Sequence, residues 1–119
     1  MLNSIVVTKW LEPYVILETF KKYFDCEDVT FDGFSKQQAK TKLFNAIEKS
    51  QKFAVGLYLK NVNKFYILTR DEKLNLTEKI LEKEFQISQN DYEKLEDSEL
   101  AISKIDLAKA EFSIIIKNS

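Results

Sequence analysis

Apolar residues alternate from Phe53 to Leu59, and the alternation resumes from Lys64 to Thr69 after Asn61-Val62-Asn63. Strand side chains point to opposite faces in turn, so Phe53, Val55, Leu57 and Leu59 share one face. Ala54, Gly56 and Tyr58 share the other. Asn tolerates the left-handed backbone of a tight turn, so the two stretches read as a β-hairpin. Gly56 inside a strand marks either a bulge or a close packing contact.

Around this hairpin the apolar period changes. Ile5 to Trp10 begins β-branched and reads as a first strand. Pro13 suits the first turn of a helix. Ile16, Leu17, Phe20, Tyr23 and Phe24 then fall on one face at helical spacing. Val29 and Phe31 alternate with polar neighbours, giving a short second strand from Asp28 to Asp32, and Gly33 turns the chain. Ser35 and Gln38 form a capping box, with Phe34 placed as its staple. The buried stripe of that helix is Ala39, Leu43, Ala46 and Ile47. Gln38, Lys42, Asn45 and Lys49 face outward.

Thr77 and Ser88 read as N-caps of two short helices, Glu78 to Phe85 and Gln89 to Asp97. Residues 99–107 fit helix and strand equally. Glu111 to Lys117 is the last strand, and Ile115 between Ile114 and Ile116 calls for burial on both faces and a central position. The order β-α-β-α-β-β-α-α-(β)-β implies an α+β fold. The expectation is a single globular domain over 1–119: a mixed, mostly antiparallel sheet of about five strands with helices packed on one side.

Composition removes most chemistry. The chain has no histidine, one cysteine, two glycines and one arginine among its 18 basic residues. Histidine is the readiest proton carrier near neutral pH and the commonest metal ligand. Glycine lets a backbone close around phosphate. Cys26 has no base, and Asp25, Glu27 and Asp28 beside it oppose thiolate formation, so it reads as an inert thiol. Asp25, Glu27, Asp28 and Asp32 fit no EF-hand spacing. No catalytic residue, metal site or cofactor is assigned. Net charge is −1, which favours neither nucleic acid nor anionic membrane. No apolar run has the length of a membrane span, and the start lacks a signal-peptide pattern, so a cytoplasmic protein is expected.

Residues 77–97 admit a helix-turn-helix reading, and with it a nucleic-acid-binding alternative. Glu82 stands where a small residue is usual, and Gln86 where the turn usually has Gly. The reading helix would be acidic, which opposes phosphate contacts. A carboxylate-based, metal-dependent enzyme is a second alternative. The main expectation is a non-enzymatic domain that binds another protein, as an inhibitor, immunity protein or adaptor from a bacterium or phage. Asp91, Glu93, Glu96, Asp97 and Glu99 would form an acidic helical ridge against a basic partner. Tyr58 and Tyr66 would supply its aromatic anchor, with Trp10 and Tyr14 as further aromatics open to exposure.

Overall fold

The computed structural model describes residues 2–29, 35–62, 64–72, 77–95 and 112–117. Within them the order is β1 (Leu2–Val7), α1 (Pro13–Lys21), β2 (Asp25–Val29), α2 (Lys36–Lys49), β3 (Phe53–Leu59), β4 (Lys64–Arg70), α3 (Thr77–Phe85), β5 (Tyr92–Leu95) and β6 (Phe112–Lys117). The strands form one sheet in the order β2-β4-β3-β6-β1-β5, and every neighbouring pair is antiparallel. The α+β class stands. Among the described residues the sheet has six strands rather than about five, and it is antiparallel throughout rather than mixed.

Contrary to the expectation from the sequence, the helices do not share one side. Ile16, Leu17 and Phe20 of α1 pack with Ile80, Leu81 and Phe85 of α3 on the face of Val55, Leu57, Phe112 and Ile114. Leu43, Phe44 and Ile47 of α2 cover the opposite face, against Val6, Ala54, Tyr58 and Ile115. Strand order explains this arrangement. Crossovers of one hand place their helices on opposite faces when they run in opposite directions across a sheet. The chain crosses from β1 to β2 with α1, then runs back from β2 to β3 with α2. The crossover with α3, from β4 to β5, reverses both travel and strand direction relative to the first. It therefore returns to the α1 face.

Local signals hold where they are chemical. Ser35 accepts from the Gln38 N–H at 3.2 Å, and the Gln38 side chain accepts from the Ser35 N–H at 2.9 Å. The staple residue Phe34, the Gly33 turn, Phe31 and Asp32 lie outside the described residues. On α2, Phe44 is buried and Ala46 exposed, so the apolar stripe is rotated from the expected one. The hairpin register runs unbroken from Phe53↔Arg70 to Leu59↔Lys64, with a 3-10 turn at Lys60–Val62. Gly56 is thus no bulge. A Cβ there would lie 2.6 Å from Ile47 Cδ1 and 3.4 Å from Ile115, so α2 approaches β3 across this glycine. Ile115 is buried on the α2 face while Phe112 and Ile114 are buried on the other, as its place between β3 and β1 requires.

The first strand runs over Leu2–Val7 rather than on to Trp10, and two further elements depart from the sequence reading. Strand β2 begins at Asp25, directly after α1, and pairs with β4 as an edge strand. Asp25 and Glu27 are exposed on it, and charge on an edge strand discourages pairing with other chains. The expected helix from Gln89 is instead a single 3-10 turn followed by β5, which pairs with β1 through Val7↔Tyr92 to Ser4↔Leu95. Backbone bonds to β1 and contact of Tyr92 with the core outweigh the local helical pattern. The helix-turn-helix reading loses its second helix. Residues 99–107 lie outside the described residues. Among the described residues, no helix is long and apolar enough to cross a membrane.

Candidate functional site

Strand β1 leaves the sheet at a corner braced from three directions. The Thr8 N–H and hydroxyl both donate to the Asp91 carbonyl, at 2.8 and 2.9 Å. Lys9 Nζ reaches the Gln86 carbonyl at 3.5 Å. Leu11 packs against the core below. Gln86 itself has φ 55°, the left-handed conformation common just past a helix end. Its N–H donates to Glu82 and the next N–H, from Ile87, donates to Leu81.

Helix α1 starts immediately after the corner. Glu12 is its N-cap and accepts from the Val15 N–H at 3.0 Å, and Pro13 sits where a missing N–H costs nothing. The helical period turns Ile16, Leu17 and Phe20 inward. Tyr14, Val15 and Glu18 consequently face out. Trp10 is 64% exposed, Tyr14 62% and Val15 53%, and these are the large exposed hydrophobics among the described residues. Isolated exposed apolar residues are ordinary. These three lie close together in sequence around a capped helix start, and they bring an indole and a phenol ring to the surface there. Glu12 and Glu18 fall in the same stretch, the latter 3.6 Å from Lys21.

The residues singled out from sequence are dispersed. Tyr58 is 1% exposed and stacks on Phe65 at 4.4 Å between ring centroids, beneath α2. Tyr66 is 7% exposed on the opposite face of the sheet. Neither ring is on the folded surface to anchor a partner. Glu93 is exposed on β5, opposite Val6, and so lies on a strand rather than a helical ridge. Glu96, Asp97 and Glu99 lie outside the described residues. Asp91 is committed to its own turn: its carboxylate accepts from the Ser88 N–H at 2.9 Å and from the Ser88 hydroxyl at 3.1 Å. The backbone hydrogen bond from Ser88 is the main cause of a carboxyl held below its usual range.

Val15 was missed by sequence reasoning, and Trp10 and Tyr14 were noted without being chosen. The available signal was negative. All three fall off the stripe that accounts for Ile16, Leu17 and Phe20, so nothing in the helix packing needs them.

Cys26 is half-buried on β2 against the α1 and α3 side of the core. Among the described residues, no group of three His, Cys, Asp or Glu is arranged to hold a metal ion. No protein family, curated protein or solved structure matches this chain.

Proposed function

We infer that this protein is a non-enzymatic binding domain that occludes the surface of another protein, as an inhibitor, immunity protein or adaptor does. The exposure of Trp10, Tyr14 and Val15 on a rigid corner carries the reading. Trp and Tyr dominate the energetics of protein interfaces because they bury large area at small entropic cost. The corner is already fixed by Asp91, Gln86 and the Glu12 cap, so little order remains to be imposed on binding. Glu12 and Glu18 beside the rings favour a partner with an apolar pocket and a basic rim. Absence of histidine from the whole chain supports a role without proton-transfer chemistry.

The test compares binding of the native partner, recovered from the host by cross-linking, to the wild type and to Trp10→Ala, Tyr14→Ala and Glu27→Lys. Loss with the first two and retention with the third, which alters an exposed position on β2, supports the corner as the interface. Equal binding by Trp10→Ala and wild type refutes it.

A further inference from the structure

Ile87, at 1% exposure, anchors the chain in the core just past α3. Beyond it, Ser88 to Asn90, Glu93 and Lys94 are exposed, and Asp91 and Tyr92 are half-buried. Tyr92 packs against the core. The neighbouring strand is the reverse. Ser4, Ile5, Val6 and Val7 of β1 are all buried, at 3% exposure or less. Strand β1 thus has the side chains of a central strand, while β5 beside it has those of an edge. Glu93 and Lys94 stand opposite Val6 and Ile5, and Glu and Lys are poor strand formers.

The closed arrangement also leaves two hydroxyls without partners. Side chains alternate along β1, so Ser4 shares the α2 face with Val6, and Ser113 lies on that face opposite Val6. Both serines are fully buried, and neither hydroxyl has a hydrogen-bond partner among the described residues. A buried hydroxyl without a partner forfeits the bonds it makes in water. Ser4 pairs with Leu95 at the end of β5, so departure of β5 removes the strand beside it.

We propose that β5 and the Ser88–Asp91 turn form a latch that opens as one unit while the other five strands stay paired. Opening releases the Thr8 N–H and hydroxyl from the Asp91 carbonyl and so loosens the corner that carries Trp10. It also turns β1 into an edge, with unpaired backbone groups from Ser4 to Thr8 beside the apolar Ile5, Val6 and Val7. Closed, the short charged strand guards that apolar edge against other chains. The latch therefore sets both the rigidity of the corner and the exposure of the sheet. It does not depend on the corner being an interface.

Hydrogen exchange of the full chain, resolved by amide in rising low concentrations of urea, tests this. Backbone N–H groups alternate in direction along a strand. The Thr8 N–H donates to Asp91, so those of Val6 and Ser4 also point to β5, and those of Ile5 and Val7 point to β6. Adjacent residues of one strand thus report two different events. Val6 and Glu93 should be about tenfold or more less protected than Ile5 and Val7, with little dependence on urea. Ile5 and Val7 should follow global unfolding with its full slope. Ser88→Ala removes one bond from the turn and should speed Thr8, Val6 and Glu93 by a common factor of about two or more. Equal protection and slope at Val6 and Ile5 overturn the latch. So does acceleration of Thr8 alone, which would mean that only the corner frays.

Discussion

The Tyr23 hydroxyl donates to the Glu84 carboxylate, joining the end of α1 to α3. The Tyr23 carbonyl accepts from Arg70 of β4, so one residue ties two helices to the sheet. The hydrogen bond to Glu84 is the main reason the Tyr23 phenol loses its proton above the ordinary value of 10.0, with burial and the carboxylate's charge adding to it. The unfolded chain ionises first. The contribution to stability is therefore complete below the unfolded value and is lost as pH rises through the folded one. Tyr23→Phe should be less stable at neutral pH and should flatten the alkaline slope. Urea midpoints of both proteins between about pH 8 and 11 check this, and parallel slopes would exclude the link.

Gly56 permits α2 to sit directly on β3. A methyl group there meets Ile47 Cδ1 at 2.6 Å inside a fully buried cluster. Overpacking of a close core costs about 1–3 kcal/mol, and Gly56→Ala should fall in that range. Ile47→Val removes the obstructing atom and costs about 0.5–1.5 kcal/mol by itself. The double variant should be more stable than the sum of the two losses implies, because one change makes room for the other. A double-mutant cycle by chemical unfolding measures the coupling, and simple additivity would show that the backbone moves instead of Ile47.

What sequence made legible follows from the range of the forces involved. The Ser35–Gln38 capping box is satisfied within four residues and was readable in full. Ile115 announced its two-faced burial because Ile114 and Ile116 leave no polar face between them. Gly56 offered two readings, and only the approach of Ile47 decides between them. Long-range pairing was not readable. Tyr92 to Leu95 fits a helical pattern by itself and becomes a strand because β1 offers an open edge. The same blindness hid the second helical layer, since element order does not reveal that β2 lies beyond β4. Tyr58 suggested a surface aromatic only while the α2 face was taken to be open, and Tyr66 is buried on the other face, with the cluster that holds α1 and α3.

The turn before β5 is stabilised by a charge. The Asp91 carboxylate is held below its usual value of 3.8 chiefly by the Ser88 backbone N–H; burial, the next largest effect, opposes this, and the Ser88 hydroxyl and Lys9 add smaller lowering effects. A depressed folded value gives stability that is present above the unfolded one and is lost as pH falls through the folded one. Asp91→Asn keeps an acceptor oxygen and abolishes the titration. Its unfolding midpoint should change less than that of the wild type between about pH 5 and 2. Because Thr8 bonds to the same residue, exchange of the Thr8 amide should quicken in Asp91→Ala. An unchanged Thr8 rate would mean that the β1 corner holds without this turn.

Trp10 is the only tryptophan, so its fluorescence reports the proposed interface without a label. At 64% exposure the indole contributes little packing, and Trp10→Ala should change stability by no more than about 0.5 kcal/mol. Acrylamide should quench the free protein nearly as well as free indole. Partner binding should protect it, since a Trp at an interface centre loses its water. Truncation of such an anchor costs about 2 kcal/mol or more in affinity, roughly thirtyfold or greater. The two readouts separate surface from core. Should Trp10→Ala destabilise the fold as a buried aromatic does, by about 3–5 kcal/mol, the ring is part of the packing and the corner is no docking surface.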